Sequence, residues 1–215
     1  MSKILKTFAV LIVLYVIPLL GNIPLLFNIR IVLLMFTGIL MFLSQPELKV
    51  SEAKAKKTTD RNSVFVILLA GGISQMLAII EWAYFKPAPE LIGNNFMVTV
   101  GVVMVVGGMA FRVWAIETLK MFFTSTVQIV KGHKVIQHGP YKVVRHPSYL
   151  GSMVAIIGSA LVLEAPISAI FALCSMIYAY TVRVRVEEIT LINELGDDYR
   201  EFQKIRKYKV IPFVW

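Results

Sequence analysis

Residues 149–182 read YLGSMVAIIGSALVLEAPISAIFALCSMIYAYTV, and this stretch decides the fold class. Glu164 is its single charge in 34 residues, a run too long for one bilayer crossing of about 17–25 residues. Glu164-Ala165-Pro166 interrupts it where a tight turn would fall, because proline lacks the N–H that a helix interior needs. The spacing predicts a helical hairpin of two shortish spans. Four further apolar runs precede it, Ile4–Leu20, Leu25–Leu43, Val64–Phe85 and Phe96–Leu119. The expected fold is therefore an all-α integral membrane protein of about six transmembrane helices. Cytosolic loop segments and C-terminal interfacial helices lie beside the hairpin.

Composition agrees. With 57% hydrophobic and 16% charged residues and a mean hydropathy of +0.73, a water-soluble single-core enzyme is excluded. The 22 Lys and Arg exceed the 13 Asp and Glu to give +9. In a soluble chain that excess would suggest nucleic acid, whereas basic clusters between apolar runs orient a membrane protein. Lys3 and Lys6, the group from Lys49 to Arg61, Lys120 to Arg145, and the tail from Arg183 to Lys209 all fall on one side if both termini are cytoplasmic. Lys86 is the clear exception. The first run follows two lysines, but no small-x-small cleavage site precedes Gly21-Asn22-Ile23-Pro24, so it is read as an uncleaved span. Cys174 is the single cysteine, which excludes a disulfide framework or a cysteine-based zinc site. The organisation expected is an N-terminal membrane region, 1–95, with a polar loop at 44–63, and a region carrying the chemistry, 96–215.

The stretch GHKVIQHGPYKVVRHPSYLG, Gly132 to Gly151, packs His133, His138 and His146 with basic residues and two tyrosines between two spans. Gly132 and Gly139-Pro140 are turn signals. Pro147 suits the first position of the fifth span's helix, with His146 or Arg145 near its cap. The free N–H groups of such a terminus favour an anionic ligand group. His133 and His138 are five apart rather than four and no HExxH-like carboxylate accompanies them, so no metal is expected. As the last span ends, Arg183 and Glu187 share a helix face at a spacing of four. They are either an ordinary surface pair or, since they emerge at the same membrane face as the His-Pro helix start, part of a site there.

Farther on, Val186, Ile189, Ile192 and Leu195 make an apolar stripe that Gly196 stops. Asp197 is suited to cap a short helix carrying Tyr199, Phe202 and Ile205, and such helices are expected to lie in the interface or fold back over the loop. Arg112, inside the fourth span, is expected to snorkel, with a role in the active cavity as the alternative, and Glu81 is expected to be interfacial. Gly71-Gly72 and Gly101, Gly107 and Gly108 permit close helix approach, within the bundle or in a dimer.

Gly-Pro-Tyr-x-x-x-Arg-His-Pro-x-Tyr-x-Gly, from Gly139 to Gly151, is followed by Arg183-x-x-x-Glu187-Glu188-x-x-Leu191 and Leu195-Gly196-x-x-Tyr199. Together with the upstream Leu119-x-x-x-Phe123-Thr124 and Gly132-His133-x-Val135, this resembles the isoprenylcysteine carboxyl methyltransferase family. The resemblance covers about Arg112 to Tyr199; Lys120, where the family often has Gly, departs from it. It implies a membrane methyltransferase that uses S-adenosyl-L-methionine to esterify the carboxylate of a C-terminal prenylated cysteine. It also implies that the cofactor is held by His133, Lys134, Val135, Tyr141, Arg145, His146, Pro147 and Tyr149, with Arg183 and Glu187 at the reacting centre and Glu188 supporting.

No Gly-x-Gly-x-x-Gly follows a predicted strand, so any cofactor must sit between helices and loops rather than in a Rossmann domain. The expected partners are the lipid bilayer and a prenylated or other lipid-like acceptor, with no nucleic acid and no metal. The expected location is the cell membrane of a prokaryote or the endoplasmic reticulum of a eukaryote. N-methylation of a phospholipid amine is the alternative, with Glu187 or Glu188 as base. From a different class, a small transporter or a non-catalytic membrane scaffold is the rival; a transporter should show internal repeats or several mid-span polar groups, and neither is present.

Overall fold

The computed structural model describes residues 3–43, 60–86, 95–124, 132 and 134–215, and all regular structure among them is helical. Its α-helices are α1 Lys3–Leu11, α2 Ile29–Leu43, α3 Asp60–Ile80, α4 Asn95–Leu119, α5 Pro147–Val162, α6 Pro166–Leu195 and α7 Asp197–Ile205.

Three stretches are long and apolar enough to cross a bilayer, Asn62–Phe85, Phe96–Phe122 and Pro166–Leu195. The other three expected spans are shorter helices. The first run is interrupted because Pro18 cannot donate to the carbonyl one turn back, so α1 passes into a π turn, Ile12–Val16, and a 3-10 turn, Ile17–Leu19. The second opens with the 3-10 turn Ile23–Phe27, after which Asn28 is extended and its Oδ1 accepts from Arg30 N at 3.0 Å. The 15 residues of α2 reach about 22 Å at about 1.5 Å per residue, short of the about 30 Å hydrocarbon core. Exposed Leu68, Val103, Ile170 and Tyr178 sheathe α3, α4 and α6 with apolar side chains, the surface a lipid-facing bundle presents.

Helices α5 and α6 are joined by Leu163–Ala165, with Glu164 at a positive φ of 51°. The side chain of Glu164 is buried and accepts from Arg30 Nη1 at 2.7 Å and from Lys86 Nζ, tying the turn to α2 and to the end of the α3 segment. Glu81 is not merely interfacial. Its carboxylate accepts from Ile167 N at 3.2 Å and Ser168 N at 2.7 Å, filling the open N–H groups at the start of α6. The stripe from Val186 to Leu195 is a correction. It is not a separate interfacial helix but the continuation of α6, since no helix breaker stands before Gly196, which ends the helix with a φ of 58°. Only α7 then folds back.

Glycines set the closest approach. A Cβ at Gly108 would lie 2.6 Å from Gly151 O, and one at Gly101 2.8 Å from Gly158 O. Each pair is seven residues apart along its helix, so α4 and α5 run antiparallel with backbones nearly touching. Gly107, by contrast, faces open space. This contact sets the first turn of α5 beside the last turns of α4. Two apolar clusters result, one around Trp82, Ile79 and Leu163 and one around Met153, Met176, Tyr180 and Val184.

Candidate active site

The site begins at a left-handed glycine. Gly139, with φ 59°, turns the chain into the 3-10 segment Gly139–Lys142 and buries Tyr141, whose hydroxyl donates to Ala115 O of α4 at 3.3 Å. Burial first, and then the negative charge of Glu187, raise this phenol far above its ordinary pKa, so it remains a donor. Pro147 occupies the first helical position of α5, after His146, as its fixed φ favours.

Before that helix starts, the chain is clasped by the C-terminal tail. Arg145 N donates to Tyr208 O at 3.1 Å and His146 N to Lys209 O at 2.8 Å. The Arg145 side chain lies beneath, with Nε 2.7 Å from Glu188 Oε1 and Nη1 2.5 Å from Arg206 O. Lys209 Nζ stands 3.8 Å from Glu188 Oε2. Val210 is fully buried against the cluster of Met153, Met176, Tyr180 and Val184, and Tyr199 and Phe202 of α7 are buried too. Glu188 thus fastens the tail across the start of α5.

The neighbouring face of α6 builds a second group. Tyr149 Oη donates to Glu187 Oε2 at 2.5 Å and accepts from Arg183 Nε at 3.1 Å, while Arg183 Nη1 reaches Ser63 Oγ of α3 at 3.1 Å. Direct contact between Arg183 and Glu187 is long, 4.0 Å, so the neutral phenol bridges them. The Tyr149 ring stacks with His146, centroids 5.6 Å apart, and with Tyr180, 4.7 Å. His146 Nε2 lies 3.3 Å from Glu188 Oε1 and Nδ1 3.8 Å from Glu187 Oε1. The Glu187 side chain is 27% exposed against 9% for Glu188, which leaves Glu187 open to a ligand and Glu188 committed to the fold.

The structure brings together Arg145, His146, Pro147, Tyr149, Arg183, Glu187 and Glu188, with Tyr141 buried alongside α4. Lys134 is exposed and Val135 partly buried in the extended run before the turn; His133 lies outside the described residues. His138 is exposed while His146 is buried. Sequence reasoning missed Tyr180 and Ser63. Tyr180 had a signal, its spacing of three before Arg183 and seven before Glu187 on one helix face. Ser63 and the tail carbonyls had none.

Glu188→Gln should remove the buried partner of Arg145 and cost about 3 kcal/mol, the lower end of the range for breaking a buried pair from one side. Hydrogen exchange should speed up across 206–211 first. Unchanged exchange there would show that the ion pair does not hold the tail.

With this geometry in place, comparison with known proteins places residues 100–193 under the family model described as the isoprenylcysteine carboxyl methyltransferase family. A probable protein-S-isoprenylcysteine O-methyltransferase of Oryza sativa subsp. indica is 33% identical over 129 residues, 59% of this chain and 66% of that protein. The Homo sapiens protein-S-isoprenylcysteine O-methyltransferase is 35% identical over 134 residues, 59% of this chain and 45% of that one. Each match spans less than two thirds of the relative's own length. Protein-S-isoprenylcysteine O-methyltransferase B of Arabidopsis thaliana is 29% identical over 184 residues, 84% of this chain and 92% of the relative. The fold is similar to the solved structure of a eukaryotic intramembrane Ras methyltransferase, with a TM-score of 0.64, 24% identity, and coverage of 95% of this chain and 74% of that one.

Proposed function

We propose that this chain, which belongs to the isoprenylcysteine carboxyl methyltransferase family, methylates the carboxylate of a C-terminal prenylated cysteine with S-adenosyl-L-methionine. The observation that carries the reading is the chain of contacts Ser63, Arg183, Tyr149, Glu187 at the end of the hairpin. A carboxylate is already ionised near neutral pH, so its methylation calls for alignment and exclusion of water rather than a base. Arg183 presents a planar donor fork, held in orientation by Tyr149 and Ser63, that suits a carboxylate.

The residues also fit the cofactor. Glu187 is an accessible carboxylate beside the stacked rings of His146, Tyr149 and Tyr180, and Arg206 Nε is buried without a partner. When bound, S-adenosylmethionine would supply an electrophilic methyl on a sulfonium, so that an acceptor oxygen gains the methyl as the sulfur becomes a neutral thioether. Tyr141, Arg145, His146, Pro147 and Tyr149 would hold it, with His133, Lys134 and Val135 on the approach. Glu187 would face its positive end, and Glu188, through Arg145, keeps the tail over the site and water out.

Six crossings are part of the reading, α1, α2 and α5 included, with both termini and the 120–148 segment cytoplasmic. The positive charges on that side support this topology, and the prenyl chain would enter laterally from lipid. The test is incubation of purified protein with labelled cofactor and a panel of farnesylated and geranylgeranylated cysteine and phosphatidylethanolamine. Base-labile label on the prenylcysteine is expected. Label on phosphatidylethanolamine alone would refute the carboxylate reading in favour of amine methylation.

A further inference from the structure

The tail that clasps the start of α5 runs on into a closed turn, residues 210–215, whose tip exposes two apolar side chains, Phe213 at 83% and Val214 at 79%. The base of the turn is fixed. Val210 is fully buried, and Ile211 and Trp215 pack against the cluster of Met153, Met176, Tyr180 and Val184. That cluster also takes in Ile67 and Ala70 of α3, about 8–12 Å inside the start of the span Asn62–Phe85 at about 1.5 Å per residue. The turn is therefore held beside helix turns at hydrocarbon depth rather than out over water. Its backbone suits that place. Val210 N and Ile211 N donate to Trp215 O at 2.9 and 2.8 Å, Val214 N and Trp215 N donate to Ile211 O at 3.2 and 3.0 Å, and Pro212 has no N–H. Internal pairing of this kind is what a backbone needs where lipid replaces water. Phe213 takes a φ of 63°, a left-handed conformation that a bulky residue rarely adopts, and its ring points outward beside Tyr208, centroids 5.4 Å apart. Lys204 and Lys207, both exposed, come just before it in the chain. Cations, then a tyrosine, then an apolar tip reproduce the depth order of a bilayer surface, from headgroups through the interface to acyl chains.

We propose that the turn is a lipid anchor for the clasp: Phe213 and Val214 insert into the leaflet at the candidate site's end of the bundle, while Lys204 and Lys207 take anionic phospholipid headgroups. The same chain that is anchored donates Tyr208 O and Lys209 O to the N–H groups of Arg145 and His146. Lipid composition thereby controls how firmly the tail lies across the start of α5, and that consequence for catalysis rests on the proposed methyltransferase reading.

Two measurements in nanodiscs test it. In a Cys174→Ser background, a fluorophore on Val214→Cys should be quenched more strongly by phospholipid brominated near the top of its acyl chains than by aqueous iodide. The order should reverse for Asp197→Cys, a position whose side chain is 89% exposed. Stronger iodide quenching at Val214→Cys would put the tip in water, and protection from both quenchers would put a second copy or another protein over it; either overturns the anchor. The second measurement needs no labelled variant. Hydrogen exchange of the wild type across 206–211 should be about threefold or more slower in phosphatidylglycerol than in phosphatidylcholine, and Lys204→Gln with Lys207→Gln should remove the difference. Equal exchange in the two lipids would overturn the headgroup contact. Neither readout requires turnover. Lipid quenching without methyl transfer to a prenylcysteine would refute the methyltransferase reading and leave the anchor standing, whereas iodide quenching in an enzyme that methylates prenylcysteine would overturn the anchor alone.

Discussion

Arg183→Ala is expected to lower kcat/KM for a prenylcysteine acceptor by about 100-fold or more, equivalent to about 3 kcal/mol. The guanidinium is buried and held by Tyr149 and Ser63, so its removal leaves an acceptor carboxylate unpaired where water cannot replace it. Affinity for S-adenosylhomocysteine should stay within threefold, because the His146, Tyr149 and Tyr180 stack and Glu187 remain. Arg183→Lys should recover only a small part of the rate, since an ammonium cannot meet both carboxylate oxygens in the plane of the fork. A variant that binds the nucleotide normally and turns over the acceptor at the wild-type rate would remove Arg183 from the reacting centre. A parallel loss of nucleotide affinity and thermal stability would show it to be a structural tie between α3 and α6.

The largest effect on folding is expected at the α4–α5 crossing. A Cβ at Gly108 would stand 2.6 Å from Gly151 O and 2.8 Å from Ala155 N, and one at Gly151 2.8 Å from Arg112 N. The obstacles are backbone atoms, which no rotamer change moves aside. Gly108→Leu should therefore cost about 3 kcal/mol or more, at or beyond the upper end of ordinary overpacking, and yield little folded protein in detergent. Gly107→Leu, one residue away and facing open space, should be tolerated. Comparable thermal stability of the two variants would show that α4 and α5 are not in this contact. Because the contact sets the start of α5, Gly108→Ala should reduce activity before it abolishes folding.

Much of this architecture is local in origin. Apolar run length fixed where helices form, Glu164-Ala165-Pro166 fixed the turn between α5 and α6, and Pro147 fixed the start of α5, because each signal is carried by a few adjacent residues acting on their own backbone. The spacing of Arg183 and Glu187 likewise placed both on one face of α6. Hydropathy was less informative where it met irregular backbone. Pro18 lies inside a run that reads as a continuous span, yet the chain there passes through π and 3-10 turns, the next run opens on a 3-10 turn at Ile23–Phe27, and the charged segment after Val182 continues a helix that hydropathy alone would have ended.

Partnership across the fold was decided only by tertiary structure. The buried arginines look alike in the sequence, but tertiary packing sets Glu164 of the α5–α6 turn against Arg30 of α2 and Glu188 of α6 against Arg145 before α5, while Arg112 meets the carbonyl of Ser148 and the hydroxyl of Ser152 on α5. Glu187 and Glu188 are adjacent in the chain, yet about 100° apart around a helix, one turned to Tyr149 and the open site, the other to Arg145 and the tail. The physical reason is that an ion pair depends on where two backbones bring their side chains. Here those backbones are separated by 43 residues for Arg145 and Glu188 and by 134 for Arg30 and Glu164, and their relative placement is set by contacts such as the glycine crossing rather than by the ionic residues themselves.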